Sequence, residues 1–193
     1  AANFGTSVHE TLNSFYEVLK GGGEVSLELM RRLYDESWVS GGYDNLQHEE
    51  TRKEAGWKIL EEFYERNSSP WIVPAFLEKM FHVKLGAYLL TGRIDRIDKL
   101  PDGTYEVIDY KTGKLKEEKD LDRDLQLSIY ALACKNVFHI NVSKLSLYFL
   151  EDNVKISTVR TEAQLNELRI GIDELVKEIE GSDFSPTPSF MCN

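Results

Sequence analysis

The sequence of 193 residues predicts a mixed α/β or α+β domain, in which a central mixed sheet of about five strands is flanked by helices. Three observations predict this class. Apolar residues recur at helical spacing in the first third, they alternate at strand spacing in the middle, and helix and strand patterns then follow one another. The predicted order is helices, three strands, a helix, two strands and a helix.

The first third is predicted to be helical. Residues 6–20 have one apolar face, and Ser7 with Glu10 three residues later is typical of a capping box at a helix start. A second helix is expected over 26–38 and a third over about 45–67. Together they make a helical portion, residues 1–69.

The middle of the chain is predicted to contain three strands. Residues 71–85 have β character, and the segments 87–100 and 104–111 flank a Pro-Asp-Gly turn that indicates an antiparallel hairpin. Counted outward from this turn, Asp95 and Asp109 lie nearly opposite each other.

Strand alternation assigns side chains to faces. Val107, Asp109 and Lys111 are expected on one face of the third strand. In the second strand, Ile97 is expected on the face opposite to Ile94.

The rest of the chain continues the alternation of elements. The pattern predicts a charged loop (111–124), a buried helix (125–138), a hairpin (144–159), an amphipathic helix (161–181) and an extended tail (182–193).

Composition limits the function classes. The net charge of −10 argues against a protein that grips nucleic acid by bulk electrostatics. No apolar run approaches the ~20 residues of a membrane span.

The chain has only two cysteines, Cys134 and Cys192, which predict no disulfide framework and fit a reducing cytoplasm. Cys134 is interpreted as a core residue. Both ends look cut, so we expect a fragment of a longer polypeptide.

A candidate site is predicted at the end of the strand hairpin. Asp109 and Lys111 share a face roughly 7 Å apart. A charge at the end of a core strand is costly unless it is paired or metal-bound, and a cation would relieve the repulsion between Asp95 and Asp109. His9 lies beside the apolar stripe of the first helix. Two alternatives stay open: a solvated pair at the sheet rim, and a merely packed histidine.

Four motifs occur in an order that resembles a known family: GTSVH (5–9), GRIDRID (92–98), VIDYKTGK (107–114) and QLSIY (126–130). The chain resembles the RecB-like branch of the PD-(D/E)XK nuclease superfamily over residues 5–192. The resemblance implies a restriction-endonuclease-like fold and a single nuclease domain over 1–193, with a catalytic core at 70–181.

The resemblance also implies roles for individual residues. Lys111 would orient the attacking water, and Gln126 and Tyr130 would lie on one helical face near the scissile strand. Glu78 would have a supporting role, although a solvated strand residue is an equally good interpretation. The implied ligands of a Mg²⁺ or Mn²⁺ ion are His9, Asp95, Asp109 and the Tyr110 backbone carbonyl.

The implied function is a DNA nuclease of repair or recombination, exonuclease-like on single strands or duplex ends, with a helicase that delivers the DNA. The loop from Lys111 to Arg123, with Lys114, Lys116 and Lys119, could line the strand path, although Glu117, Glu118, Asp120 and Asp122 cancel most of its positive charge. Many relatives hold an iron–sulfur cluster. Cys192 resembles the first of their tail cysteines, so the full-length parent could hold such a cluster but this chain would not.

The rival function is a non-catalytic DNA-binding or scaffolding module. A third alternative, a small-molecule hydrolase, is disfavoured because the sequence has no obvious Ser or Cys nucleophile.

Overall fold

The computed structural model describes residues 2–85, 88–115 and 118–181. Lys116, Cys192 and the tail predicted over 182–193 lie outside these ranges, and the side chain of Lys119 is also outside the description.

Three helices open the chain: α1 (Ala2–Lys20), α2 (Leu27–Ser37) and α3 (Leu46–Asn67). The last two begin where the sequence predicts, because the side chains of Ser26 and Asn45 accept hydrogen bonds from backbone N–H groups of their first turns.

The predicted capping box at Ser7 is wrong. The first helix begins at Ala2, so Ser7 lies inside it. The buried Ser7 hydroxyl donates to the Asn3 carbonyl one turn earlier, at 2.9 Å, and accepts the Val39 N–H at 2.9 Å. This side chain therefore joins α1 to the connection between α2 and α3, since a hydroxyl inside a helix can bond back to the preceding turn.

Five strands form one mixed sheet in the order β1-β2-β3-β4-β5. The neighbours are antiparallel except β3 and β4, which are parallel. The strands are β1 (Phe76–Leu85), β2 (Tyr88–Lys99), β3 (Tyr105–Lys111), β4 (Val142–Phe149) and β5 (Val154–Thr158). The predicted fold class is confirmed, including both hairpins.

The crossover from β3 to β4 carries α5 (Leu125–Ala133), which a π-helical turn (Cys134–Phe138) extends. The described part of the loop predicted over 111–124 contains one short helix, α4 (Glu118–Leu121), whose last residue, Leu121, is fully buried in the core. The chain is described up to the end of α6 (Glu162–Gly181).

The sheet is covered on both faces. Val107, Leu145 and Leu147 pack with α5 and α6 on one side, and Cys134 is buried there as predicted. On the other side Ile108 and Tyr110 pack against α1, α2 and α3. The end of β3 therefore lies between two rigid cores, which fixes the position of its polar side chains. None of the helices in the described ranges is long and apolar enough to cross a membrane.

Candidate active site

Asp95 of β2 lies where the regular pairing with both neighbouring strands is interrupted. Regular β2–β3 pairing runs from Lys99↔Tyr105 to Arg96↔Ile108. Beyond the last of these pairs, the Tyr110 N–H donates to the Asp95 carboxylate, Oδ2, at 2.9 Å. Asp95 therefore lies beside the end of β3, close to Asp109, as the hairpin count predicts.

The predicted alternation of β2 is wrong between Ile94 and Ile97, since both side chains pack into the core under α5. On β1 the residue opposite Asp95 is Glu78, where the regular pairs skip a position and φ is 44°. A non-glycine residue in the left-handed region is uncommon and marks local distortion of the strand. This distortion allows the side chains of Ile94 and Ile97 to lie on the same face of β2.

Asp109 is almost completely buried, at 2% exposure, and its two oxygens have different surroundings. Oδ1 accepts the Tyr130 hydroxyl at 2.9 Å. Oδ2 lies 2.6 Å from the Lys111 ammonium nitrogen, but among the described residues no partner gives it a hydrogen bond of ordinary geometry. A buried oxygen in that condition remains available to a further cation.

Four side chains form a closed ring at this point: Asp109, Lys111, Gln126 and Tyr130. Lys111 Nζ donates to Gln126 Oε1 at 2.7 Å. Gln126 Nε2 donates to the Tyr130 hydroxyl, also at 2.7 Å, and that hydroxyl donates to Asp109. The predicted placement of Gln126 and Tyr130, one turn apart on α5, is what lets both reach the end of β3.

The tyrosine of this ring stays protonated. Burial raises the pKa of Tyr130, and the negative charge of Asp109 beside it raises the pKa further. Tyr130 therefore acts as a neutral donor that holds Asp109 in one orientation.

Asp95 is in an environment that disfavours its charge. Burial raises the pKa of Asp95, and the neighbouring charge of Asp109 raises it further. The His9 imidazole, the Tyr110 N–H and the Lys111 ammonium act in the opposite direction without cancelling the shift. The site thus has more buried negative charge than its own residues neutralise.

The first helix delivers the imidazole. His9 Nδ1 lies 3.4 Å from Asp95 Oδ2, and the imidazole meets the Tyr110 ring edge-on at 6.0 Å. One turn earlier, a Cβ on Gly5 would lie only 3.1 Å from the Thr112 side-chain oxygen. The absence of a side chain at Gly5 therefore lets α1 approach β3 closely enough for His9 to reach the acid.

Glu78 is not a solvated strand residue, the second interpretation that the sequence allowed. Its side chain is 22% exposed, and Oε2 lies 2.6 Å from Nε of Arg93. Burial raises the pKa of Glu78, Arg93 lowers it, and the nearby charges of Asp95 and Glu10 raise it. The sequence analysis assigned no role to Arg93, although residues two apart on a strand share a face and Arg93 lies two residues before Asp95.

The residues of the candidate site offer mainly oxygen ligands, which hard divalent cations prefer. The donor chemistry of His9, Asp95, Asp109 and the Tyr110 carbonyl fits such an ion, as do the under-neutralised charge and the free geometry at Asp109 Oδ2. Within the described ranges, no three His, Cys, Asp or Glu side chains are already gathered as a metal cluster. The ligand set therefore remains a prediction.

Comparison with known proteins adds one family match and several structural ones. Two of the similar solved structures are a protein named "Putative exonuclease" from Eubacterium rectale (11% identity, 93% of this chain and 90% of that chain, TM-score 0.42) and a protein named SSO0001 (16%, 90% and 74%, 0.37). Among curated proteins, none matches. The model of the PD-(D/E)XK nuclease superfamily matches residues 1–193. Because that match spans the whole chain, this protein belongs to the PD-(D/E)XK nuclease superfamily.

Proposed function

We propose that this chain is a metal-dependent DNA nuclease domain of the RecB-like branch. In this proposal it hydrolyses phosphodiester bonds of single strands or duplex ends as an exonuclease. The observation that supports it best is the closed ring of Asp109, Lys111, Gln126 and Tyr130, placed beside the contact of Asp95 with His9. A structural ion pair would not require a glutamine and a tyrosine to fix both of its members.

We propose His9, Asp95, Asp109 and the Tyr110 carbonyl as ligands of Mg²⁺ or Mn²⁺. When bound, such an ion supplies a water that is nucleophilic near neutral pH and a counter-charge for the phosphoryl oxygens. The pKa of Asp95 is raised mainly by burial, so a positive charge at this position would be stabilising.

The role of Lys111 follows from how it is held. Its side chain is 31% exposed, so the ammonium group reaches the surface of the site while Asp109 anchors it from inside. The hydrogen bond to Gln126 Oε1 fixes the same nitrogen from a second direction. In the proposed reaction this compact charge orients the attacking water and stabilises the negative charge that develops on the phosphate.

Gln126 and Tyr130 are positioning residues in this mechanism. Tyr130 keeps one oxygen of Asp109 occupied, so that the other oxygen faces Lys111. Gln126 uses its two ends to bridge Tyr130 and Lys111.

We further propose a role in DNA repair or recombination, with a helicase domain or subunit that delivers the strand. The net charge of −10 supports this, because an acidic domain gains little affinity for DNA by itself. Lys114 is exposed in the loop after β3, where the proposed strand path begins.

The test is degradation of end-labelled single-stranded DNA in Mn²⁺, in Mg²⁺ and in EDTA. We expect hydrolysis only with metal, and a loss of about 100-fold or more in Lys111→Ala, the size typical for removal of one group that stabilises the transition state. Lys144→Ala, on the exposed part of β4, is the matched control and should keep the wild-type rate.

A protein that binds the metal and DNA but hydrolyses nothing under any of these conditions would support the rival function, a non-catalytic DNA-binding module. Wild-type activity in Lys111→Ala would remove the proposed mechanism while leaving the family membership intact.

A further inference from the structure

An apolar groove of about 440 Å³ opens directly beside the candidate active site, between the β1–β2 hairpin and α5. The mechanism proposed above does not use it. Its apolar lining includes Phe81, Leu90, Leu125 and Ile129.

The floor of the groove is rigid. A Cβ at Gly92 would lie 2.4 Å from Cζ of Phe81, so the missing side chain lets the Phe81 ring lie flat against β2. The same ring meets Tyr130 edge-on, with centroids 6.0 Å apart. This packing connects the groove floor to the residue that holds Asp109.

One end of the groove is the active site itself. Gln126 and Tyr130 line the groove and are also members of the ring that holds Lys111 and Asp109. A phosphodiester placed at Lys111 would therefore have its adjoining nucleoside at the mouth of the groove.

The mouth combines apolar surface with one cation. Leu125, the first residue of α5, is a large apolar side chain that is 58% exposed. Arg93 lines the groove, and its side chain is 61% exposed while it pairs with Glu78. Apolar walls beside an exposed guanidinium match a nucleotide, which has a flat, poorly hydrated base next to a phosphate.

We propose that this groove receives a nucleobase of the bound DNA strand, next to the phosphate at Lys111. This inference rests on the proposed function and adds a base subsite to it. The polar lining residues are Thr91, Arg93, Gln126 and Tyr130; Arg93 pairs with Glu78, and the last two belong to the ring, so the groove offers mainly apolar contact. The subsite therefore accepts any base and depends on the presence of a base.

The test compares a single-stranded oligonucleotide with copies that carry one abasic residue, placed at successive positions. In the wild type, an abasic residue at one position next to the cleaved bond should lower kcat/KM about tenfold, the size expected for loss of one base contact. In Leu125→Ala the intact and abasic substrates should differ by much less. Leu46→Ala is the matched control, since Leu46 is likewise the exposed first residue of a helix, α3, and does not line the groove. It should keep the wild-type ratio.

Binding supplies a second readout that needs no catalysis. Fluorescence anisotropy in Ca²⁺ should show tighter binding of the intact oligonucleotide than of the abasic one, and Leu125→Ala should weaken that preference. If the wild type cleaves DNA but treats the two substrates alike, the base subsite is wrong and the proposed nuclease stands. If nothing is cleaved but the binding preference depends on Leu125, the subsite stands and the nuclease is wrong. A dimer that Leu125→Ala dissociates would mean that a second copy of this chain occupies the groove, which overturns the inference.

Discussion

Tyr130 determines the orientation of Asp109, the more buried of the two aspartates in the site. Its hydroxyl donates to Asp109 and accepts from Gln126, so a single oxygen atom connects strand and helix. Burial and the charge of Asp109 raise the pKa of Tyr130, and this keeps the donor protonated. The chemistry at Asp109 thus depends on a residue that itself need not touch the substrate.

Replacing this tyrosine tests the positioning role. Tyr130→Phe leaves Asp109 Oδ1 and Gln126 Nε2 without their partner, so we expect about a tenfold loss of kcat, little change of KM and a stability loss of about 1–3 kcal/mol. Steady-state kinetics on labelled DNA and urea unfolding measure these quantities. Tyr105→Phe, at the other end of β3, is the control and should be close to wild type. A Tyr130→Phe enzyme with unchanged kcat would exclude the positioning role.

Asp95 should reduce stability in the metal-free protein. Its folded-state pKa is raised, mainly by burial, so the stability it contributes is present below the ordinary value of 3.8 and is lost as the pH rises through the raised value. At pH 7 the charged carboxylate is therefore unfavourable, and Asp95→Asn should raise the unfolding temperature in EDTA while it abolishes hydrolysis.

Thermal unfolding at pH 7 and at pH 4 checks the sign. The advantage of Asp95→Asn should shrink in acid, because the raised pKa of Asp95 favours the protonated wild-type carboxyl there. Asp152→Asn, on an exposed turn, should change little at either pH. An Asp95→Asn protein that is less stable than the wild type at pH 7 would show that His9 and Lys111 outweigh burial.

At the scale of elements, close packing between strands sets the shape of the site. The aromatic ring of Phe81, on β1, occupies the space that a side chain at Gly92 of β2 would need. Gly5 serves a similar purpose where α1 meets Thr112. Both glycines belong to the motifs that the sequence singled out, and both are required by neighbours that are distant in the chain.

Adding one methyl group at Gly92 tests whether this close packing stabilises the fold. Gly92→Ala forces the rigid, buried Phe81 ring to move, so we expect a loss of about 1–3 kcal/mol in the free energy of unfolding. Gly171→Ala on α6 meets nothing within 4 Å and should instead gain up to about 1 kcal/mol. Chemical denaturation measures both. The double change Gly92→Ala with Phe81→Leu should recover part of the loss, and no recovery would mean that another contact is responsible.

The element order and the site differ in how well the sequence predicts them. Helix caps at Ser26 and Asn45 and the Pro-Asp-Gly hairpin are local signals, so these boundaries were predictable. The start of α1 was not, because Ser7 looks like a cap but bonds to Val39, far along the chain. The ring at Asp109 was predictable in membership through the resemblance, whereas its hydrogen bonds depend on tertiary packing that no local pattern encodes.

The side-chain orientation along β2 shows the same limit. Strict alternation separates Ile94 from Ile97, but the strained backbone of Glu78 on the neighbouring strand changes the outcome. A period of two in one strand says nothing about a distortion in its partner.

At the scale of the whole molecule, charge determines how DNA is approached. The chain has a net charge of −10, and two cations of the described site, Lys111 and Arg93, are both paired with acids. The protein should therefore gain little from counterion release when it binds DNA.

The salt dependence of binding tests this directly. In Ca²⁺, the plot of log affinity against log salt for single-stranded DNA should have a slope no steeper than about −2, corresponding to contact with about three phosphates. Fluorescence anisotropy between 50 and 200 mM salt, about the range used for such plots, gives the slope. A much steeper slope would indicate an extended basic surface and would contradict delivery of the strand by a partner.

The central claim is that Asp95 and Asp109 bind one divalent cation next to Lys111. Anomalous diffraction from a crystal soaked in Mn²⁺ tests it most directly. We predict one strong peak at coordination distance from both carboxylates, with the His9 imidazole and the Tyr110 carbonyl completing the contacts. A peak elsewhere, or two carboxylates that share no metal ion, would contradict the claim.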